Sequence, residues 1–262
     1  MAGRGRPRKN AVAPKTVLKH VSFTKMNDVK FDPSLFTPQK TGTIVDTVLS
    51  TEGGIFPGTN TVVIGDPGVG KSTVLLDLLA NFQAKGKRVL FISGEMNEID
   101  MYGYVKRYPS FGQLPIMFMN DYTDCPKEAI EQVLDGGYDV VLMDSWAEVT
   151  ALVQDQQNWA RKKVESWLLD LLEKNNKAEN QANKHTAFIC IQQMTKAGEF
   201  AGSNRIKHMT TAMAALRFDG RGRDAERYIE FSKNRRGNVG DKVFFNLHRG
   251  GRVDYSFENI SE

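Results

Sequence analysis

The chain has 262 residues, of which 40% are hydrophobic and 25% charged, and its formal net charge is +4. This size suits one domain with a tail, or at most two small domains, and the lack of any stretch near ~20 consecutive apolar residues excludes a membrane span. Cys125 and Cys190 form no CxxC pair, which excludes a cysteine zinc finger and a redox dithiol.

The first 30 residues form a basic arm. They contain eight Lys and Arg residues against one acid, a net charge of +7, so the rest of the chain is net −3. The arm is rich in Gly and Pro and shows no apolar period, so we expect residues 1–35 to be disordered in isolation. No apolar run follows it, which argues against a secretory signal.

The arm is expected to bind nucleic acid rather than a membrane, because no aromatic or lipidation signal accompanies its charges. GRGRPRK (3–9) contains RGRP, the centre of an AT-hook, and Arg4 and Arg6 would enter the narrow minor groove of A·T-rich DNA. Arg8 and Lys9 add phosphate contacts. A generic basic tail that binds any polyanion is the alternative.

Beyond the arm, short apolar runs alternate with amphipathic stretches, which is typical of βαβ units and a parallel sheet. The predicted strands are 61–65, 88–93, 115–120, 139–144 and 186–193, followed by β structure near 214–218, 227–233 and 243–248. The predicted helices are 71–85, 97–107, a segment after Pro126, and 157–174, with a polar surface loop over 174–185. We therefore predict an α/β domain over 36–255 and a short tail over 256–262.

The segment GDPGVGKST (65–73) matches the phosphate-binding pattern GxxxxGK[ST] at every fixed position. Its glycines let the backbone curl so that several N–H groups and a helix N-terminus face one concavity, which attracts phosphate oxygens. Lys71 would reach the β- and γ-phosphates, and the Ser72 hydroxyl would ligate Mg²⁺. The predicted ATP- and Mg²⁺-binding loop consists of Gly65, Asp66, Pro67, Gly68, Val69, Gly70, Lys71, Ser72 and Thr73.

Two acids end predicted strands, where ligands bind in an open parallel sheet. Asp144 closes the apolar run DVVLMD, and we expect it to hold Mg²⁺ through the ion's water shell; a helix N-cap is the alternative. Glu95 follows strand 88–93, which lies next to the P-loop strand if the strand order is the usual doubly wound one. A carboxylate there can orient and deprotonate the attacking water, whereas an exposed loop acid is the alternative.

Together these segments resemble the RadA/Sms branch of RecA-like ATPases, whose core also occurs in DnaB-type replicative helicases. The resemblance covers about residues 40–250 and implies a RecA-like sheet with antiparallel strands at its carboxyl-terminal end. The P-loop is shared by many families, whereas the stretches 193–209 and 233–237 are much more selective for this family. The segments are GGIFPGTNTVVIGDPGVGKST (53–73), VLFISGE (89–95), DVVLMDS (139–145), QQMTKAGEFAGSNRIKHM (192–209) and SKNRRG (232–237).

The resemblance implies roles for four further catalytic residues. Glu95 falls on the family's catalytic glutamate, and Gln193 on the polar residue that senses the γ-phosphate in DnaB-like members, where RadA members have His. Lys233 and Arg235 fall on a pair that reaches into the neighbouring subunit's ATP site. An arginine supplied in trans is worth roughly 10³ to 10⁵ in rate, and a solvated strand end is the alternative for this pair.

The resemblance also places a DNA-facing loop and the helix after it over 196–209. Lys196, Arg205 and Lys207 supply its positive charge, and its glycines would let it follow a phosphate backbone. A solvated loop is the alternative.

Three departures from the family are apparent. The chain has neither the four-cysteine module and protease-like domain of RadA nor the helical amino-terminal domain of DnaB, and Arg236 stands where RadA usually has Phe. We expect a stand-alone motor core of the kind that a phage or another compact genome encodes. We expect the protein to be cytoplasmic, and to lie in the cytoplasm of the bacterial host if a phage encodes it.

The sequence therefore predicts a DNA-dependent ATPase of the RecA/RadA type that acts in DNA recombination, repair or replication. We expect a homo-oligomeric ring motor, hexameric, working as a helicase or branch-migration factor on single-stranded or branched DNA. The alternative is an ATP-switched DNA-binding or strand-exchange protein that forms filaments and has little motor activity.

Overall fold

The computed structural model describes residues 23–193, 206, 210–220, 222 and 225–257. The chain divides into two units, Met1–Asp32 and Pro33–Glu262. The described part of the first unit contains a 3₁₀ turn over Met26–Asp28. All the helices and strands named below belong to the second unit.

The second unit alternates strands with helices and then ends in consecutive strands. Its helices are α1 (Asp46–Leu49), α2 (Lys71–Ala84), α3 (Glu98–Arg107), α4 (Pro126–Asp135), α5 (Trp146–Gln157) and α6 (Arg161–Asn176), with 3₁₀ turns at Pro33–Phe36, Pro109–Gln113 and Met119–Tyr122. Its strands are β1 (Asn60–Gly65), β2 (Val89–Ser93), β3 (Ile116–Phe118), β4 (Val140–Asp144), β5 (Ala187–Ile191), β6 (Ala212–Asp219), β7 (Glu226–Asn234), β8 (Lys242–Leu247) and β9 (Val253–Ser256).

Within the described residues the strands form one sheet in the order β3-β2-β4-β5-β1-β6-β7-β8-β9. The strands from β3 to β6 are parallel, and β6 to β9 are antiparallel. The predicted fold class is confirmed: a mostly parallel sheet flanked by helices, with antiparallel strands at the carboxyl-terminal end. Strands β2, β4 and β5 are buried throughout, as expected where helices cover both faces of a parallel sheet.

One core lies on each face of the sheet. On one face, α2 and the buried part of α3 pack against side chains such as Val63, Phe91 and Leu142. On the other face, α4, α5 and α6 pack against Ile92 and Val141. Because parallel strands all end at the same edge, this packing gathers the residues that follow β1, β2, β4 and β5.

The prediction that the strand before Glu95 lies next to the P-loop strand is wrong. Strand β2 pairs with β3 and β4, and β5 separates β4 from β1. The crossover through α2 carries the chain past two strand positions, which β4 and β5 later fill. Glu95 therefore belongs to the same sheet edge as the P-loop, but to a strand three positions away.

The predicted helix over 157–174 is also corrected. That range corresponds to α6 alone, because Asn158 adopts a left-handed conformation with φ 49° and ends the preceding helix, α5, at Gln157. The sequence prediction missed α5 altogether, and α6 begins only at Arg161. The segment 174–185 is not wholly a surface loop, since α6 continues to Asn176 and the side chain of Asn180 is buried, bonding to Lys184 and Asn175. Strand β9 was likewise not predicted.

Candidate nucleotide-binding site

The phosphate-binding loop joins the end of β1 to the start of α2. Gly68 and Gly70 have φ values of +74° and +99°, a region that side chains rarely adopt. A Cβ on Gly70 would lie 2.5 Å from Leu247 Cδ1, whereas a Cβ on Gly68 would meet nothing within 4 Å. The loop is thus tightly supported at Gly70 and open at Gly68, which leaves space beside its backbone for a ligand.

Lys71 lies over this loop at the first position of α2. Its Nζ donates hydrogen bonds to the carbonyl oxygens of Gly65 at 3.0 Å and Asp66 at 3.1 Å. Burial lowers the pKa of the Lys71 amine, while the charges of Asp144, Glu95 and Asp66 act in the opposite direction. The amine is therefore held close to the loop by backbone acceptors that a phosphate group could replace.

Ser72 and Asp144 meet beside Lys71. The Ser72 hydroxyl donates a 2.5 Å hydrogen bond to Asp144 Oδ2, and Asp144 is only 2% exposed at the end of β4. Burial raises the pKa of Asp144 to about 6, and the charge of Glu95 adds to this, whereas the Ser72 hydrogen bond and Lys71 oppose it. The Ser72 hydroxyl and the buried Asp144 carboxyl group are thus in direct contact beside the phosphate-binding loop.

This donor set fits Mg²⁺. The ion prefers oxygen ligands and is usually bound by one or two carboxylates together with substrate phosphates and waters, not by a closed protein cage. The described residues hold no group of three or more His, Cys, Asp and Glu that could bind a metal by themselves. Ser72 and Asp144 are the residues that would hold the ion.

Glu95 and Gln193 follow β2 and β5 and meet at the same edge. The amides of Gly94 and Glu95 both donate to the carbonyl of Asp144, at 2.7 and 3.3 Å, which fixes the loop after β2 beside the end of β4. Gln193 Nε2 donates a 3.3 Å hydrogen bond to Glu95 Oε1, and both side chains are exposed. The two side chains therefore lie next to the Ser72–Asp144 pair.

Lys233 and Arg235 lie at the opposite edge of the sheet. Strand β7 runs antiparallel to β6, so its last residues are level with the beginning of β1. Lys233 Nζ donates to the carbonyl of Thr210 at 2.7 Å, and the amide of Arg235 donates to the carbonyl of Thr211. Burial lowers the pKa of Lys233, and the charge of Arg235 lowers it further. Lys233 and Arg235 therefore lie apart from the phosphate-binding loop of their own chain.

The residues predicted to bind DNA lie outside the part of the chain that the structure describes. These residues are Arg4, Arg6, Arg8, Lys9, Lys196, Arg205 and Lys207.

The hairpin formed by β8 and β9 supports the site in a way that was not predicted from the sequence. Leu247, at the end of β8, packs against Gly70 of the phosphate-binding loop, and the Tyr255 hydroxyl of β9 donates a 2.8 Å hydrogen bond to Asp77 Oδ2 on α2. Gly251 lies directly against the Arg107 carbonyl at the end of α3. The pair Gly250–Gly251 between two apolar stretches is a hairpin signal that could have revealed β9.

No helix among the described residues has the length and apolar character needed to cross a membrane.

Comparisons with known proteins agree with this geometry. The chain is 28% identical over 199 residues to the DNA repair protein RadA of Mycobacterium tuberculosis, which covers 76% of this chain and 40% of that protein. It is also 28% identical over 202 residues to the DNA repair protein RadA of Listeria monocytogenes, covering 77% of this chain and 42% of that protein. The chain thus spans about two fifths of the length of these relatives. No family model matches it.

Two solved structures share the fold. The flagellar accessory protein FlaH from Methanocaldococcus jannaschii superimposes with a TM-score of 0.58 at 15% identity, covering 81% of this chain and 94% of that one. A KaiC-like protein from Pyrococcus horikoshii gives a TM-score of 0.60 at 17% identity, covering 84% and 99%. The fold is shared with these two structures, and the similarities together support a RecA-like P-loop ATPase core.

Proposed function

We propose that this protein binds ATP with Mg²⁺ at the loop edge of the sheet, hydrolyses it, and uses the turnover to act on DNA in repair or recombination. The convergence of five residues at one edge carries the proposal, because they lie at or after the ends of four separate strands. They are Lys71, Ser72, Asp144, Glu95 and Gln193. The similarity to RadA supports the assignment to DNA repair.

In the proposed mechanism, the loop amides and Lys71 bind the phosphate tail, with the amine exchanging its two carbonyl partners for phosphate oxygens. Ser72 and Asp144 would hold Mg²⁺, which when bound would supply positive charge against the charge that develops on the phosphates. The Glu95 carboxylate accepts the proton of the attacking water. Gln193 orients that carboxylate through its present hydrogen bond and turns its amide to the γ-phosphate when ATP fills the site.

The position of Arg235 supports catalysis between subunits. The Arg235 amide bonds to Thr211, whose own amide bonds to Asn60 at the start of β1. Gly65 lies five residue steps beyond Asn60 along β1, a distance of about 16 Å at ~3.3 Å per residue. Arg235 is thus too far from its own loop and would act, with Lys233, in the ATP site of a neighbour.

Such an arrangement joins unlike faces of identical subunits head to tail, which closes into a ring or extends into a filament. We propose a hexameric ring that translocates on single-stranded or branched DNA. Electron microscopy with Mg²⁺ and a non-hydrolysable ATP analogue separates the two: closed rings support the motor, whereas open filaments favour a strand-exchange or ATP-switched binding protein.

The test of the function is ATP turnover with single-stranded, duplex and forked DNA. We expect at least one of these DNAs to stimulate hydrolysis, and Glu95→Gln to abolish the stimulated rate while nucleotide binding persists. Turnover that no DNA changes and that Glu95→Gln leaves intact would refute the proposal.

The basic arm is proposed to add affinity for duplex DNA, with A·T-rich DNA preferred through Arg4 and Arg6. Deleting residues 1–30 removes a net charge of +7. We expect weaker binding and a flatter salt dependence, by up to about 0.9 in log–log slope for each lost phosphate contact. An unchanged slope would assign the arm another role.

A further inference from the structure

A groove lies between α4 and α6, on the face of the sheet opposite α2. Its volume is about 770 Å³, which falls within the roughly 300–1,000 Å³ of typical ligand pockets. Two tryptophans line it, Trp159 from the turn before α6 and Trp167 from α6 itself, and both side chains are half-buried. Indole rings that remain accessible at the surface are typical of binding sites, because each offers a large apolar area.

The walls of the groove are held in place by contacts between its elements. Trp167 Nε1 donates a 2.7 Å hydrogen bond to Glu131 Oε1, and the Lys127 amine donates to the other oxygen of the same carboxylate, also at 2.7 Å. At the end of α4, the Gln181 backbone amide donates to the Asp135 carbonyl at 2.9 Å, and the Gln181 side chain donates to the Asp135 carboxylate. The groove is therefore formed before a partner arrives, which reduces the entropy lost on binding.

The charge that lines the groove is predominantly negative. Four carboxyl groups and two amines line it, namely those of Glu131, Asp135, Asp170 and Glu179 and those of Lys163 and Lys174. The Lys127 amine offsets the charge of its partner Glu131, and the remaining acids still outnumber the amines. Such a lining repels the phosphates of a nucleic acid, whereas it attracts a basic segment of a polypeptide.

Both tryptophan rings of the groove already hold a cation of this chain. The Lys163 amine lies 3.8 Å from the centre of the Trp159 ring, and the Lys127 amine lies 6.0 Å from the centre of the Trp167 ring. A guanidinium group stacks on an indole ring more readily than an ammonium group does, because it is planar and more weakly hydrated. The exposed Lys163 therefore occupies a position on Trp159 that an incoming arginine can take.

We propose that the groove between α4 and α6 binds a basic, arginine-containing segment of a partner protein in an extended conformation. One arginine of the segment replaces Lys163 on the Trp159 ring, and others lie against the carboxylates that line the groove. Proline-containing extended segments dock in aromatic-lined grooves at a low entropic cost, so arginine alternating with proline is the sequence pattern that fits. The inference does not depend on ATP turnover, because no residue of the groove belongs to the nucleotide site.

The test measures peptide binding to the full chain by tryptophan fluorescence, without nucleotide or DNA. The chain has three tryptophans, and the third, Trp146, is only 4% exposed, so a change in emission reports mainly on the groove. The probe is a short blocked peptide of alternating arginine and proline, and two counterparts carry lysine or glutamate in place of arginine. We expect the arginine peptide to shift the emission and to bind more tightly than the lysine peptide, and the glutamate peptide to have no effect.

Substitutions in the groove should change the affinity for the arginine peptide in opposite directions. Asp170→Lys reverses an exposed charge of the lining, so the Kd should rise about tenfold or more. Glu52→Lys is the matched control, because it makes the same charge change at an exposed position after α1, which packs on the other face of the sheet. Lys163→Ala uncovers the Trp159 ring and removes a competing cation, so the Kd should fall several-fold.

Several results would overturn the proposal. The emission may not change up to about 1 mM arginine peptide, or the glutamate peptide binds as well as the arginine peptide does. Alternatively, Asp170→Lys binds no worse than Glu52→Lys, or Lys163→Ala binds less tightly than the unaltered chain. Oligothymidine that shifts the emission, and that loses this effect in Lys163→Ala, would assign the groove to nucleic acid instead. All the substituted side chains are exposed, and circular dichroism should show unaltered folding in every variant.

Discussion

Ser72 and Asp144 are 72 positions apart in the chain, yet the Ser72 hydroxyl donates a 2.5 Å hydrogen bond to Asp144 Oδ2. The contact exists because α2 begins at the end of β1 while β4 ends at the same sheet edge. Burial raises the pKa of this carboxyl group to about 6. The group that would hold Mg²⁺ therefore titrates close to physiological pH until a cation reaches it.

A first prediction concerns Mg²⁺ and pH. Below about pH 6 the Asp144 carboxyl holds a proton that Mg²⁺ must displace, so Mg²⁺-supported ATP binding should weaken as pH falls from 7 to 5. Titrating Mg²⁺ against a fluorescent ATP analogue at several pH values measures this. Asp144→Asn should bind Mg²⁺ weakly at every pH, whereas the exposed Asp155→Asn control should behave as the unaltered chain; a flat profile in the unaltered chain contradicts the assignment.

The second prediction separates binding from chemistry at Glu95. Glu95→Gln retains the size of the side chain but removes the base, so ATP should still bind while kcat falls by about 10² to 10⁴. Single-turnover hydrolysis and nucleotide binding provide the two measurements. Glu179→Gln, a change at an exposed acid beyond α6, should alter neither, and an equal loss in both variants would remove Glu95 from the mechanism.

A third prediction concerns Asn234, which anchors the pair Lys233 and Arg235. Its Nδ2 donates to the carbonyls of Val48 and Leu49, each at 3.1 Å, and its Oδ1 accepts from the amide of Arg236 at 2.9 Å. Asn234→Asp replaces the donor with a second acceptor facing two carbonyls, so the strand end should shift.

We expect Asn234→Asp to lower kcat at least tenfold without weakening ATP binding. In mixed oligomers it should complement Glu95→Gln, because one variant keeps the catalytic site and the other keeps the arginine. The exposed Asn246→Asp is the control. If both variants fold normally but their mixed oligomers regain no ATP hydrolysis, Asn234 would instead support the ATP site of its own subunit.

The two thiols should differ in reactivity, which gives a fourth prediction. Cys190 is buried in β5, and burial raises the pKa of its thiol to about 12, whereas Cys125 is exposed at the start of α4. The thiolate is the reactive form, so iodoacetamide at pH 8 should label Cys125 in the native protein and Cys190 only after unfolding. Peptide mass mapping reads this out, and equal labelling would contradict the buried position of β5.

A fifth prediction links Asp77 to stability. Burial raises the pKa of Asp77, and the hydrogen bonds from Tyr255 and Asn81 only partly offset it. A carboxyl group whose folded pKa exceeds its unfolded value of about 3.9 favours the folded state at low pH and loses that contribution as pH rises through the folded pKa. Asp77→Asn keeps an acceptor without the charge.

Urea unfolding should therefore show Asp77→Asn more stable than the unaltered chain at pH 7, with the difference shrinking towards pH 3. Asp155→Asn, at an exposed position, should show no such change. A destabilised Asp77→Asn at pH 7 would mean that the charge-assisted hydrogen bonds outweigh the cost of burial.

The fold class and the phosphate-binding loop could be predicted because their signals are local. The glycine spacing before Lys71 fixes a turn, and apolar runs fix the central strands. The order of the strands is not local: nothing near Glu95 states that β4 and β5 will occupy the two positions between its strand and the P-loop strand. The prediction therefore placed Glu95 at the correct sheet edge but on a strand beside the wrong neighbouring strand.

The missed helix α5 is different, because a local signal was present. Ser145 followed three residues later by Glu148 is the pattern of a capping box, and the Ser145 side chain does accept the Glu148 amide at 3.5 Å. The residue before it, Asp144, ends an apolar run, which is also the pattern of a metal ligand at the end of a strand. The contacts of Leu247 with Gly70 and of Tyr255 with Asp77 had no such signal, because they depend on how the final hairpin packs.

The hairpin of β8 and β9 packs against both the phosphate-binding loop and the end of α3. A Cβ on Gly251 would lie 1.7 Å from the Arg107 carbonyl oxygen, so any larger residue there must push the hairpin aside and shift Leu247 away from the phosphate-binding loop. Insertions at Gly250 and Gly251, or fusions close behind β9, should consequently alter nucleotide affinity before they disturb folding. Anyone attaching a fluorophore or an affinity peptide would do better to choose an exposed position on α5.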